Sequence, residues 1–284
     1  MSIRIITESS CDITKEEAEK LGVEVLPIMI RMQERDYQDG IDIDAKKFYE
    51  MMIENTELPK TSQITPYQYE SAIADAAAAG DEVLIITLSS KLSGCNRNAN
   101  LASQDAPCKV RVVDTFSASL GQGIAVRLAC RYRDEGMSLD SLADKLEQEY
   151  KKIHVIALLD TLEYLSKGGR ISKTAAFAGK MLSIKPVITF KDGEVHVLGK
   201  ARGSRSGRNM LLKEVLDTGI DFTKPLTCAY SGFDQTLLKK YIEDSLPLYK
   251  NHYTAETLPV SQLGPTIGVY SGPGCIGFAW FGKE

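Results

Sequence analysis

One run of six residues constrains the fold of this chain more than any other feature. Val83–Leu88 reads VLIITL and is almost wholly apolar and β-branched. A strand covered on both faces has this composition, because neither face needs polar side chains. The preceding helix pattern begins at Thr65-Pro66, an N-cap followed by proline at the first helical position, and continues to Gly80. The run is therefore predicted to be a buried strand of a parallel sheet.

Strand and helix patterns alternate through the first half of the chain. Val23–Met32 is strand-like, and Pro27 within it indicates an edge or a bulge. Asp44 can cap a helix over 45–54. Alternation of this kind predicts a parallel sheet with helices on both faces. Residues 1–152 are therefore predicted to form an N-terminal α/β domain.

The second half has a different pattern. Strand-like segments at 187–190 and 195–197 flank Asp192-Gly193, which predicts a hairpin with a tight turn. Helix patterns then alternate with further strands, one of them expected at 253–258. Residues 153–284 are therefore predicted to form an α+β domain with a mixed or antiparallel sheet. The sequence has no low-complexity linker near residue 152, so the two domains are expected to pack closely.

Composition and charge exclude several classes of protein. The net charge of the 284 residues is -4, which gives no general attraction to nucleic acid. The N-terminal MSIRIITESS lacks the apolar run of a signal peptide, and no segment approaches the roughly 20 apolar residues of a membrane-spanning helix. The six cysteines form no CxxC pair, which favours free thiols in a reducing compartment. We therefore expect a cytoplasmic protein.

The motifs of several common activities are absent. The sequence contains no phosphate-binding GxxxxGK[ST] loop, no GxGxxG after a strand, and no GxSxG. The three histidines are far apart in sequence, so no metal site is expected. Four carboxylates cluster without the spacing of a calcium loop, and we expect solvated loop residues, one of them an N-cap: Asp36, Asp39, Asp42 and Asp44.

Three polar segments remain as candidates for ligand binding. Pro59–Gln63 lies between two helix patterns, and Ser89–Gly94 directly follows the buried strand. Parallel sheets bind ligands at the carboxyl ends of their strands, and a Ser-Gly that opens a helix offers N–H groups to an anion. Gly268–Gly274, before the last strand, is rich in glycine, which permits close approach of backbone to a ligand. Each segment taken singly is also explained by ordinary turn and cap chemistry.

Taken together and in order, these segments resemble the DegV family of fatty-acid-binding proteins. The resemblance extends over essentially the whole chain. It rests on the following segments: Thr7-Glu8-Ser9-Ser10-Cys11-Asp12, Lys60-Thr61-Ser62-Gln63, Leu92-Ser93-Gly94, Asp114-Thr115, Leu162-Glu163-Tyr164-Leu165, Gly168-Gly169-Arg170-Ile171, Lys185-Pro186 and Gly272-Pro273-Gly274.

The resemblance implies two domains with a long-chain fatty acid in a tunnel between them. It further implies the binding subunit of a fatty acid kinase, in which a separate ATP-using protein phosphorylates the bound carboxylate to an acyl phosphate. No cofactor beyond the fatty acid is implied, and transient contact with a membrane is left open. The residues expected to bind the ligand are Thr61, Ser62, Ser93, Gly94, Arg202, Tyr270 and Ser271, and Arg170 is expected on the surface that meets the kinase.

The chain departs from the family pattern in three places. Tyr270 stands two residues before the GPG, where the family usually has His, and a neutral Tyr cannot become a cation near pH 7. Cys95 follows Ser-Gly where Thr is common, and Cys275 follows the GPG where a small residue is common. Residues 174–184, with Met181 as an adaptable side chain, could line the tunnel or form an ordinary buried helix.

Two other functional hypotheses were weighed against fatty acid binding. The first is a stand-alone acyl or phosphoryl transferase or hydrolase that uses Ser93, Tyr270 or Cys95, but the sequence shows no general base paired with them. The second is a DNA-binding regulator, which the acidic composition and the lack of a helix-turn-helix signal disfavour.

Overall fold

The computed structural model describes residues 2–55, 57–171 and 184–283. Within these ranges the strands are β1 (Ile3–Glu8), β2 (Val23–Leu26), β3 (Met29–Met32), β4 (Arg35–Gln38), β5 (Lys60–Ser62), β6 (Glu82–Thr87), β7 (Val110–Asp114), β8 (Ile153–Leu158), β9 (Ile184–Lys191), β10 (Glu194–Arg202), β11 (Thr227–Tyr230), β12 (Val260–Gln262) and β13 (Ile276–Phe281). The helices are α1 (Lys15–Leu21), α2 (Ala45–Glu54), α3 (Pro66–Ala78), α4 (Cys95–Ala102), α5 (Leu120–Asp134), α6 (Leu139–Glu149), α7 (Glu163–Lys167), α8 (Gly203–Thr218), α9 (Thr236–Tyr249) and α10 (Pro265–Ser271).

The predicted parallel sheet is confirmed, and the apolar run lies inside it. The strand order is β2-β1-β6-β7, and each of the pairings is parallel. Val83 and Ile85 pack in one apolar cluster with α3 and α4, whereas Leu84 and Ile86 pack in another with α5 and α6. Successive side chains of a strand point to opposite faces, so helices on both faces explain why β6 has no polar alternation.

The strand expected over Val23–Met32 is divided between two sheets, so the prediction of one strand with an edge or a bulge is wrong. β2 is the edge of the parallel sheet, whereas β3 is the centre of a separate antiparallel sheet of order β4-β3-β5. Pro27 lies between the two strands. Proline has no N–H to donate to a ladder, so the chain can leave one sheet there and enter another.

The second half contains a mixed sheet of order β10-β9-β8-β13-β11-β12, as the sequence predicted. β11 and β12 pair in parallel, and the other neighbours are antiparallel. The predicted hairpin is β9–β10, with positive φ at both Asp192 and Gly193, the geometry that a tight two-residue turn requires. The strand expected at 253–258 is wrong, because the chain pairs with β11 only from Val260.

Helix α5 lies between the parallel and the mixed sheets. It packs against β1 and β6 of the first and against β8, β11 and β13 of the second. Eleven of its 15 residues are buried, which is expected of a helix covered on two sides. One apolar cluster therefore continues from Val113 through Ile124 to Phe281, across the boundary predicted near residue 152. No helix among the described residues combines the length and apolarity needed to cross a membrane.

The glycine-rich segment Gly268–Gly274 begins inside helix α10, which ends at Ser271. This helix packs against α7 of the second half and against four elements that precede residue 152, namely α2, β3, β5 and the helical turn Ser9–Cys11. Its start is held by two carboxylates: Asp12 Oδ1 accepts from Gly264 N at 2.7 Å, and Asp39 Oδ2 accepts from Thr266 N at 3.1 Å. Asp39 is buried, so its assignment to solvated loop residues is wrong. Asp44 is the N-cap of α2, as expected.

Candidate functional site

A cavity of about 460 Å³ lies where the parallel sheet, the small sheet and the mixed sheet meet. Its apolar wall comes from the loop after β6, the turn before α5, and the strands β8 and β9 of the mixed sheet. The side chains of this wall are Ile28, Leu88, Leu92, Ala118, Leu120, Val155, Ile156, Ala157, Leu159, Leu165, Ile188, Phe190, Val195, Leu263 and Ile267. A cleft of this size and polarity is typical of small-molecule sites.

Six of the seven predicted ligand-binding residues line this cavity. They come from β5, from the loop that leads into α4, and from α10: Thr61, Ser62, Ser93, Gly94, Tyr270 and Ser271. Two of them touch, since the hydroxyl oxygens of Thr61 and Tyr270 are 2.7 Å apart. Segments separated by some 200 residues in sequence are thus brought to one polar region. Arg202, the seventh, is exposed at the end of β10 and is not among the lining residues.

The loop before α4 presents a hydroxyl and backbone N–H groups. Ser93 Oγ accepts from Cys95 N at 3.3 Å, and the first backbone bond of α4 runs from Asn98 N to Gly94 O. N–H groups in the first turn of a helix have no acceptor within the helix, so those other than the N–H of Cys95 are free to bind an anion. A Cβ atom at position 94 would stand 2.0 Å from Gln63 Oε1, so the end of the Gln63 side chain packs directly against Gly94. The Gln63 amide, which the sequence analysis did not assign to the site, therefore lies beside the head-group region.

Arg170 lies at the exposed rim of the cavity. Its guanidinium is 5.1 Å from the centre of the Tyr270 ring, within the range of a cation–π contact. Nη1 donates to Gly168 O at 2.6 Å and Nε donates to Leu92 O at 3.3 Å. These contacts fix a cation at the mouth of the cavity while leaving the side chain exposed.

The two cysteines near the polar region are packed as thiols. Burial raises the pKa of Cys95 and the pKa of Cys275 to about 12 each. A thiol with such a pKa is protonated at neutral pH, and only the thiolate is a strong nucleophile. Cys275 lines the cavity wall, whereas Cys95 lies behind Ser93 and accepts from Ile64 N at 3.4 Å. The structure therefore does not favour Cys95 as a catalytic nucleophile.

Two further features bear on the tunnel and on bound groups. Most of the segment 174–184, for which tunnel lining and an ordinary buried helix were both left open, lies outside the described residues, and so does Met181. Among the residues that the structure does describe, no group of three or more His, Cys, Asp or Glu side chains is arranged to hold a metal ion.

Two polar lining residues that the sequence analysis did not single out are Ser119 and Thr266.

Comparison with protein families gives one match over almost the whole chain. The model of the family described as "Uncharacterised protein, DegV family" matches residues 2–283. Among curated proteins, a DegV domain-containing protein of Caldanaerobacter subterraneus subsp. tengcongensis is 30% identical over 276 residues, which are 97% of this chain and 97% of that protein.

Comparison with solved structures gives matches of equal extent. A DegV family protein from Thermus thermophilus, described by its fatty acid binding, has a TM-score of 0.88 at 33% identity, over 99% of this chain and 100% of that one. A fatty acid (stearic acid)-binding protein from Eubacterium ventriosum has a TM-score of 0.85 at 26% identity, over 100% and 99% of the two chains.

Proposed function

This chain belongs to the DegV family, and on that premise we propose that it binds a long-chain fatty acid in the cavity between its sheets. One observation carries the proposal: a cluster of hydroxyl and N–H donors lies at one region of a cavity whose remaining wall is almost wholly apolar. A fatty acid has the same division between an acid group and a hydrocarbon chain. The fatty acid binding described for the relatives from Thermus and Eubacterium supports the proposal.

The donors suit a carboxylate that leaves water. An ionised carboxylate in an apolar cleft must be hydrogen-bonded, because its desolvation otherwise costs several kcal/mol. Thr61, Ser93 and the N–H groups that begin α4 supply such bonds without a buried counter-charge. Each buried methylene adds about 0.8 kcal/mol, so the apolar wall can hold a long chain tightly.

We further propose that the bound carboxylate is presented to a separate kinase that forms an acyl phosphate. A second groove, of about 580 Å³, adjoins the cavity, and Leu92, Arg170 and Val195 line both. Lys91 and Lys200 add two more cationic side chains to this groove. Cations at the mouth of the cavity would attract the phosphate groups of the kinase reaction. This arrangement supports a docking role for Arg170.

The thiols support a reducing compartment for this function. All six cysteines are free and five of them are buried. Free thiols persist in the cytoplasm, where disulfides are rare. We therefore propose a cytoplasmic carrier, which would meet a membrane only briefly to load its lipid.

Extraction of lipid from the purified protein tests the central proposal. The protein is expressed in bacteria, purified without added lipid, denatured in organic solvent, and its extract is analysed by mass spectrometry against a standard. We expect close to one long-chain fatty acid per chain. A protein that yields no fatty acid, and whose fluorescence or calorimetric titration with stearate shows no binding after purification, would refute it.

A further inference from the structure

The turn between β7 and α5 holds two non-glycine residues with positive φ, Phe116 and Ser119, and Ser119 is the one that directly precedes α5. Ser119 has φ 57° and ψ -130°, a region that residues with a Cβ rarely occupy. Its N–H donates to Ser10 O at 2.8 Å, which fixes the turn against the helical turn Ser9–Cys11 that follows β1. Strained backbone of this kind persists only where the surroundings determine it, and it is concentrated at functional sites.

The side chain of Ser119 links the cavity to a buried carboxylate. Ser119 lines the cavity, and its Oγ donates to Asp12 Oδ2 at 2.5 Å. Asp12 is itself oriented, since its Oδ1 accepts from Gly264 N at 2.7 Å. A hydroxyl on a residue that lines a cavity, a base within hydrogen-bond reach, and a third group that orients the base are the three parts of an activated nucleophile.

The local chain resembles the nucleophile elbow of serine hydrolases in its geometry. In those enzymes a serine on a strained strand-to-helix turn presents its Oγ at the end of a sheet within GxSxG. Here Ser117-Ala118-Ser119-Leu120-Gly121 joins β7 to α5. Gly121 is required because a Cβ atom would stand 2.0 Å from Ser117 Oγ. A search for GxSxG misses the segment because serine, not glycine, occupies its first position.

We propose that Ser119 and Asp12 form a nucleophile–base pair that hydrolyses fatty acyl esters in the cavity. The inference rests on the proposed function in one respect, that the cavity accepts an acyl chain. It goes beyond that function because it assigns a covalent reaction to residues outside the head-group cluster. The fatty acid released by the reaction would be the same compound that the cavity is proposed to bind.

The reaction balances with water as the second substrate. Ser119 Oγ attacks the carbonyl carbon, its proton passes to Asp12 Oδ2, and the bond to the alcohol oxygen breaks as that oxygen takes the proton. Water then attacks the acyl-serine while Asp12 accepts one of its protons. The bond to Ser119 Oγ breaks, the proton returns to that oxygen, and the free fatty acid leaves.

Two features of the surroundings suit these steps. The N–H of Leu120 begins α5 and has no acceptor within the helix, and the residue after the nucleophile supplies an oxyanion-hole donor in elbow enzymes. Burial raises the pKa of Asp12 to about 7, against the hydrogen bonds from Ser119 and Gly264 that lower it. A base with a pKa near the working pH can both accept and return a proton.

Hydrolysis of p-nitrophenyl octanoate and labelling by a fluorophosphonate probe test the proposal. We expect turnover above buffer, a covalent adduct on the peptide that contains Ser119, and loss of both in Ser119→Ala. Asp12→Asn should lower kcat/KM at least about 100-fold. Ser117→Ala is the matched control, because the Ser117 hydroxyl is buried in the same turn and has no hydrogen-bond partner among the described residues, and this variant should keep its activity within a few-fold.

The outcomes separate this inference from fatty acid binding. Wild-type protein that binds stearate but neither turns over the ester nor forms the adduct overturns the inference and leaves the proposed function standing. Turnover that persists in Ser119→Ala also overturns it. Because labelling is read on the wild-type protein, a variant that fails to fold does not remove the test.

Discussion

Ser93 occupies the point where the head-group region and the start of α4 meet. Among the residues that the structure describes, its Oγ contacts only Cys95, through the amide at 3.3 Å and the sulfur at 3.2 Å. Sulfur is a weak acceptor. A carboxylate in the cavity would therefore be the stronger acceptor for this hydroxyl, and the hydroxyl can turn toward it without leaving a strong partner.

Replacement of Ser93 by alanine is predicted to weaken fatty acid binding by about 1–3 kcal/mol, the loss of a hydrogen bond to a charged group. Titration calorimetry with stearate measures the change. Ser90→Ala is the matched control, because Ser90 is exposed in the same loop and is not among the cavity-lining residues. Equal affinities for the two variants would contradict the assignment of Ser93.

Glu8 is a fully buried carboxylate at the end of β1. Three donors reach it: the Tyr69 hydroxyl, the Leu88 amide at 3.1 Å, and the Gln122 side-chain amide at 2.6 Å. These bonds favour the ionised form, but burial outweighs them and raises the pKa of Glu8 from 4.5 to about 7. Folding therefore favours protonation of this side chain.

The stability of the protein is predicted to fall as the pH rises from about 4.5 to about 7. Glu8 stabilises the fold fully below its unfolded pKa of about 4.5, and that contribution is lost as the pH rises toward about 7. Glu8→Gln, which resembles the protonated form, should flatten the difference in urea-unfolding free energy between pH 5 and pH 8, by at most about 3 kcal/mol. Glu19→Gln, on the exposed face of α1, should keep the wild-type slope. An unchanged slope in Glu8→Gln would contradict the prediction.

At the scale of single residues, the sequence identified the site residues that belong to a recognisable motif of neighbouring residues. Thr61, Ser93 and Gly94 were expected in the site because they lie in the ordered motifs that carry the family resemblance, and they line the cavity. Ser119 was not expected, because its signature is a backbone conformation and a partner 107 residues away. Arg202 lies outside the lining because β10 ends with its side chain exposed.

Helix α10 shows how a short element can depend on distant residues. Its seven residues include a glycine, and isolated helices of this length are unstable. Capping by Asp12 and Asp39 and packing against α2 and β3 stabilise it. No local signal in the sequence marks these partners, so the sequence predicted a glycine-rich segment at Gly268–Gly274 and no helix there. Pro27, by contrast, is a local signal that interrupts the strand pattern. The sequence could not show that a second sheet begins after it, because the partners of that sheet are distant in sequence.

Loss of the Asp39 cap is predicted to weaken both the fold and the site. Asp39→Ala leaves the buried Thr266 N–H without its acceptor, which should lower the free energy of unfolding by about 1–3 kcal/mol. Stearate affinity should fall as well, because α10 carries Tyr270 and Ser271. Asp39→Asn keeps an acceptor oxygen and should retain most of the stability. Urea unfolding and calorimetry measure both effects.

Asp36→Ala is the control for this element. Asp36 pairs with Arg31 at 3.6 Å, and both side chains are more than half exposed. Exposed ion pairs contribute little, so the change should stay within about 0.5 kcal/mol. If Asp36→Ala lowered the free energy of unfolding as much as Asp39→Ala does, the stability would depend on acidic side chains of this region in general, and not on the cap of α10.

At the scale of the molecule, the cavity and the hydrophobic core both lie at the junction between the parallel sheet and the mixed sheet. α5 packs against both sheets, and the cavity walls come from the ends of the parallel sheet, from β8 and β9 of the mixed sheet, and from α10. A ligand in this cavity therefore contacts elements from both halves of the chain. Binding should stabilise the whole fold, because unfolding of either half destroys the site.

Removal of lipid is accordingly predicted to lower the melting temperature. A ligand present at 100 times its Kd adds about 2.7 kcal/mol, which for a chain of this size corresponds to roughly 5–10 °C. Stearate added to delipidated protein should restore the shift. Octanoate, with fewer methylenes, and octadecanol, with the tail but without the acid, should each restore less. Equal melting temperatures with and without stearate would contradict a ligand that joins the two halves, whereas an equal effect of octadecanol would place all of the binding energy in the apolar wall and none in the polar cluster around Thr61 and Ser93.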